Sequence, residues 1–102
     1  MKAINEANFE SEVVQSDDIV LVDFWAPWCT PCNMLTPVLE GLSDRYNIGK
    51  INVDEERELS LKYGISAIPS LKFFKNGEVV KDIVGSATKE EIISAFEELT
   101  NG

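Results

Sequence analysis

The segment Ile19-Val20-Leu21-Val22-Asp23-Phe24-Trp25 is apolar on both of its alternating faces, with Asp23 as the one interruption. A strand of that kind needs cover on each side, so it predicts a central strand with helices packed above and below. Directly after it comes Trp28-Cys29-Thr30-Pro31-Cys32, which holds both cysteines of the chain, three positions apart. A helix is expected to begin near Pro31, which suits a first-turn position. It carries Met34, Leu35, Val38, Leu39, Leu42 and Tyr46 at helical spacing. Pro37 falls inside this helix and should bend it. A Cys-x-x-Cys pair at a helix start brings two sulfurs within bonding reach and points one of them at the helix's positive end.

The remaining chain reads as alternating elements without repeats, low-complexity tracts or linkers. Asn8 to Val14 has Phe9 and Val13 four apart, the mark of a short amphipathic helix. Lys50-Ile51-Asn52-Val53-Asp54 reads as a strand, followed by a helix from about Glu56 to Tyr63 that Gly64 ends. Leu71 to Lys75 and Glu78 to Val84 flank Asn76-Gly77, a strong hairpin signal. Thr88-Lys89-Glu90-Glu91 forms a capping box that opens a last helix with Ile92, Ala95, Phe96 and Leu99 on one stripe. Helices alternating with strands, then a hairpin, predict an α/β sandwich whose mixed sheet is parallel first and antiparallel last.

Length and charge narrow the function. With 102 residues the chain supports one domain, 1–102, and hardly two. Nine basic against eighteen acidic side chains give a net charge of −9, which argues against nucleic acid or an anionic membrane as partner. No apolar run approaches the roughly 20 residues of a membrane helix. The start Met1-Lys2-Ala3-Ile4-Asn5-Glu6 lacks a charged-then-apolar pattern, so a cytoplasmic location is expected. There is no histidine, which removes imidazole bases and imidazole metal ligands together.

The cysteine pair admits four readings. A static staple over so short a loop constrains little of the unfolded chain and stabilises weakly. A structural zinc wants four ligands, and two cysteines without histidine leave half the shell empty unless two chains share it; no metal is expected. Haem attachment needs His after Cys32, where Asn33 stands. A reversible thiol–disulfide couple is the favoured reading. In it Cys29 is the nucleophile, favoured as thiolate by the free N–H groups of the helix start, and Cys32 lies one turn further in. Asp23 shares a face with Leu21 and Trp25, so burial should raise its pKa. It is either a proton acceptor for Cys32 or a structural carboxylate paired with Lys50. Trp28 is either a flat contact beside Cys29 or a core aromatic. The Ile68-Pro69 bond is expected to be trans on frequency alone. No Gly-rich nucleotide fingerprint occurs, so no flavin or nicotinamide cofactor is expected.

The segment Val22 to Cys32 resembles the active-site signature of the thioredoxins. Pro37, Ile68-Pro69-Ser70, Phe74-Lys75-Asn76-Gly77 and Val84-Gly85 agree with it in the same order along essentially the whole chain. The resemblance implies a thioredoxin-like α/β fold, with a central mixed sheet of four to five strands flanked by four helices. It also implies reduction of protein disulfides through Cys29 and Cys32, with re-reduction by a separate thioredoxin reductase and activity as a monomer. It favours the proton-transfer role for Asp23. It implies a cis Ile68-Pro69 bond facing the cysteines, where the Ile68 backbone pairs with an extended substrate and Pro69 shields the sulfurs. Val84, Gly85 and Ser86 would complete that groove beside Trp28. Thr30-Pro31 between the cysteines carries no charge, and Pro31 stiffens the turn, which together lean toward a reductant. The family usually has Gly where Thr30 stands and a basic residue where Asn33 stands, so these two positions should tune the couple. The alternatives to a reductase are an oxidase or isomerase of an oxidising compartment, and a binding module with incidental redox activity.

Overall fold

Five strands, β1 (Lys2–Ala3), β2 (Val20–Trp25), β3 (Asn47–Asn52), β4 (Ser70–Lys75) and β5 (Glu78–Val84), form one sheet in the order β1-β3-β2-β4-β5 in the computed structural model, which describes residues 1–101. β1 and β2 each run parallel to β3, whereas β4 runs antiparallel to β2 and β5 antiparallel to β4. Four helical segments flank the sheet: a short one at Glu10–Val14, then α1 (Thr30–Leu42), α2 (Arg57–Lys62) and α3 (Lys89–Asn101).

The two-faced apolar character of β2 is met by a core on each side. Leu21 joins Leu71 and Phe73 against Leu35, Leu39 and Leu42 of α1 and Ile92 and Phe96 of α3. Val20, Val22 and Phe24 point the other way, onto Phe9, Val13, Leu59 and Phe74. Each such side chain, fully buried, contributes roughly 1.5–3 kcal/mol of hydrophobic transfer free energy, so the central strand is fixed from both faces.

Local signals behave as their chemistry dictates. Asn76 and Gly77 adopt φ of 53° and 81°, the two left-handed residues that a tight hairpin turn requires. Thr88 Oγ1 accepts from the Glu91 N–H at 3.1 Å, while Glu91 Oε1 accepts from the Thr88 N–H at 2.9 Å. Gly64, at φ 64°, ends α2, and the Ile65 N–H reaches back to the Ser60 carbonyl.

Four boundaries differ from the sequence reading. β3 occupies Asn47–Asn52 rather than 50–54, because it runs beside the full length of β2, from Val20 opposite Asn47 to Trp25 opposite Asn52. Gly49 obscures this strand in the sequence; a Cβ there would lie 2.7 Å from Ile4 Cγ1, so glycine permits the close approach of the N-terminal segment. That segment supplies β1, whose two residues are too short to show an alternating pattern. α1 stops at Leu42, so Tyr46 lies beyond it, and its ring stacks on Phe96 with centroids 4.3 Å apart. The N-terminal helix is regular only at its start; it ends in a wider turn in which the Gln15 N–H bonds the Glu10 carbonyl five residues back.

Candidate active site

Strand direction gathers the site at one end of the sheet, beyond the last residues of β2 and β3. The last residue of β2, Trp25, lies opposite the last residue of β3, Asn52. Because β4 is antiparallel, its first residue, Ser70, pairs with Phe24 and with Val84 at the end of β5. The segments that leave β2, β3 and β5 and the one that enters β4 therefore meet there. They carry Trp28 and Cys29, Asp54, Gly85 and Ser86, and Ile68 and Pro69.

Cys29 and Cys32 form a disulfide, with Cα atoms 5.2 Å apart. Cys29 is the N-cap of α1, in an extended conformation (φ −90°, ψ 105°), and its Sγ accepts from the Cys32 N–H at 3.2 Å. A helix-end N–H that would otherwise lack a partner thus points at this sulfur. Cys29 keeps 5% of its surface exposed and Cys32 none. The two sulfurs differ in access as their positions in the sequence suggest. Thr30 and Pro31, both exposed, occupy the first turn of α1. Ala26, Trp25, Val53 and Ile68 pack around the pair.

Three hydrogen bonds hold the loop that precedes the helix. The Cys29 N–H donates to the Ala26 carbonyl at 3.1 Å. The Trp28 indole, 68% exposed, donates from Nε1 to Asp54 Oδ2 at 2.7 Å. The Asn33 amide donates from Nδ2 to the Pro27 carbonyl at 2.9 Å. Trp28 is a surface residue and not a core aromatic. Asp54 was not legible as a site residue, since only the folded loop brings it to Trp28, and its one sequence signal is proximity to the end of β3. Pro27 lies within the Val22–Cys32 signature, but the role of its carbonyl as acceptor for Asn33 appears only in the folded loop.

Asp23 is 1% exposed. Strand alternation puts it on the face of Leu21, which packs on α1, and of Trp25, which packs on the cysteines. Burial pushes its pKa from 3.8 up to about 7, and the positive charge of Lys50 offsets part of that rise. The expected alternative, an Asp23–Lys50 ion pair, does not form: although the two residues are register partners, no such contact occurs among the described residues. The Lys50 ammonium instead sits 5.1 Å from the centroid of the Trp25 ring. Asp23 Oδ1 and Trp25 Nε1 are buried without a hydrogen-bond partner among the described residues. Trp25, half-buried, packs against the disulfide and forms part of the wall around it.

The Ile68-Pro69 peptide is cis, against the expectation from frequency alone. Ile68 is half-buried against the disulfide, and the Pro69 carbonyl accepts from the Gly85 N–H at 2.8 Å. Gly85 has φ of 92°, and nothing lies within 4 Å of where its Cβ would be; its conformation, not crowding, calls for glycine. Val84 and Ser86 are exposed beside it. Next to them a shallow groove of about 330 Å³ runs along α1, lined by Pro31, Met34, Leu35 and Val38 and closed by Ser86 and Ala87. No three acidic or cysteine side chains among the described residues gather to hold a metal.

A disulfide that caps a helix, with one sulfur reachable and its partner sealed behind it, at the end of a mixed α/β sheet where four connecting segments meet, defines a dithiol–disulfide exchange protein. The comparison with known sequences makes this specific. The family model described as Thioredoxin matches residues 1–98. The chain is 45% identical over 97 residues to a thioredoxin of Chlorobaculum thiosulfatiphilum, covering 91% of this chain and 90% of that one. It is 46% identical over 94 residues to one of Rickettsia bellii, with 88% and 90% covered, and 40% identical over 97 residues to one of Porphyra purpurea, with 91% of each covered. The chain belongs to the thioredoxin family. It is a thiol–disulfide oxidoreductase that reduces protein disulfides through the Cys29–Cys32 pair.

Proposed function

We propose that Cys29 is the attacking sulfur, Cys32 the resolving one and Asp23 the proton acceptor for Cys32. The Cys29 thiolate attacks one sulfur of a substrate disulfide, forming a mixed disulfide and releasing the other substrate sulfur as thiolate. Cys32 then gives its proton to the Asp23 carboxylate, through a water, and attacks the Cys29 sulfur. The Cys29–Cys32 bond forms, the mixed disulfide breaks, and two electrons have passed to the substrate. A reductase on a separate chain returns them. The observation that carries this order is the inequality of the two sulfurs: Cys29 caps the helix with its edge in solvent, and Cys32 has no exposed surface.

The substrate lies along the trough between Trp28 and Val84-Gly85-Ser86, with its extended backbone against Ile68 and its sulfur over Cys29. Pro69 keeps water and metal ions from the sulfurs, and Thr30, Pro31, Asn33 and Lys50 tune the couple. Residues 1–102 act as one monomeric domain, and a couple that donates electrons suits the cytoplasm. Cys29→Ser is expected to abolish turnover in an insulin-type disulfide reduction assay, and Cys32→Ser to accumulate a mixed disulfide that non-reducing electrophoresis detects. Normal turnover by Cys32→Ser, or trapping by Cys29→Ser instead, refutes the assignment.

A further inference from the structure

Asn33 stands where the resemblance implies a basic residue, and its short, neutral side chain makes a specific backbone contact. Its main-chain N–H donates to the Cys29 carbonyl at 3.0 Å, as the first turn of α1 requires, and its side-chain amide donates to the Pro27 carbonyl at 2.9 Å. One residue thereby grips the chain on both sides of Trp28, and the ring it closes, Pro27 to Asn33, contains both cysteines. The neighbouring restraints point the same way. Pro27 and Pro31 fix their own φ angles, Thr30 replaces a more flexible glycine, and the Trp28 indole is tied to Asp54.

We propose that Asn33 is a positioning residue whose amide clamp on Pro27 favours the closed, disulfide form of the pair and so makes the protein a stronger reductant. The argument is one of linkage. The disulfide and the clamp restrict the same short loop, so each lowers the entropy that the other must overcome. The clamp is therefore tighter in the disulfide form than in the dithiol form, and by reciprocity it shifts the equilibrium toward the disulfide. This role is independent of charge, because the amide is neutral; the tuning at this position is conformational. The inference rests on the reductase reading above, in which a closed pair is the product of each turnover.

The experiment equilibrates the protein with glutathione buffers of graded composition and reads the dithiol and disulfide fractions. Asn33→Leu keeps the side chain's size and neutrality and removes the donor. Its equilibrium constant for disulfide formation is expected to fall about two- to five-fold, the range set by one net hydrogen bond whose strength differs between the two forms. Asn33→Gln, which still carries a neutral amide donor, is expected to recover at least half of that loss. An Asn33→Leu constant equal to that of the unaltered protein overturns the proposal, as does a Gln variant that falls as far as the Leu variant. Trapping of mixed disulfides by Cys32→Ser tests the reductase reading separately, so either can fail without the other.

Discussion

Asp23→Asn removes a buried charge with almost no change of shape, and its effect on stability follows from the pKa of the carboxyl. In the folded protein desolvation raises that pKa from 3.8 to about 7 despite the opposing charge of Lys50; in the unfolded chain it returns to about 3.9. Below about pH 3.9 both states hold the proton and Asp23 contributes no pH dependence. Between there and pH 7 the folded state keeps a proton that the unfolded state has lost, so stability falls as pH rises. Above pH 7 both are ionised and the loss is complete. At 1.36 kcal/mol per pH unit the loss is about 4 kcal/mol, a large part of a small domain's stability. Asp23→Asn lacks this slope. In urea titrations of the disulfide form its advantage is expected to be near zero at pH 4 and to reach about 4 kcal/mol at pH 8. For an m-value near 2 kcal/mol/M that is a midpoint shift of about 2 M. A variant less stable at pH 8 refutes the reasoning, and so does a gap that is the same at pH 4 and pH 8. The first would mean that Asp23 is ionised and stabilised by a partner, the second that its pKa is the same in the folded and unfolded states.

Two further substitutions test the frame and not the chemistry. Thr88→Ala removes the cap oxygen of α3 and is expected to cost about 1 kcal/mol in urea or thermal unfolding while leaving disulfide reduction at its original rate; an unchanged midpoint would show that the capping box contributes nothing. Gly77→Ala forces a side chain into a left-handed turn residue and brings a Cβ to 2.9 Å from Val14 Cγ1. It is expected to cost about 1–2 kcal/mol by the same measurement, and a neutral result would mean that the hairpin relaxes without strain.

What the sequence disclosed and what it withheld divide along a physical line. Features decided within a few residues were readable: the two-faced strand, the Asn76-Gly77 turn, the Thr88 cap, and the sulfur spacing at a helix start. Features decided by contact between distant segments were not. Gly49 looks like a break until Ile4 is seen lying across it. Asp54 looks like the last residue of a strand until the true end of β3, at Asn52, leaves it in the loop beside Trp28. Lys50 is the natural partner of Asp23 by register, yet a lysine side chain is long enough to settle over a neighbouring ring instead. The cis state of Ile68-Pro69 is invisible to composition and came only from the resemblance to the family.

The position of Lys50 explains why so costly a carboxyl is useful. In the proposed mechanism Asp23 must accept a proton from Cys32, and a thiol has an ordinary pKa of about 8.5. A carboxylate at 3.8 is far too weak a base for that transfer, whereas one near 7 is poised at the pH where it works. A direct Lys50 ion pair would return the carboxyl toward its ordinary range, recover most of the lost stability and remove the basicity with it. With the ammonium held over Trp25, the charge is close enough to let Asp23 ionise near neutrality but does not bind it. The same desolvation that weakens the fold above pH 7 is thus the source of the base, and the two cannot be separated by any change confined to Asp23 itself.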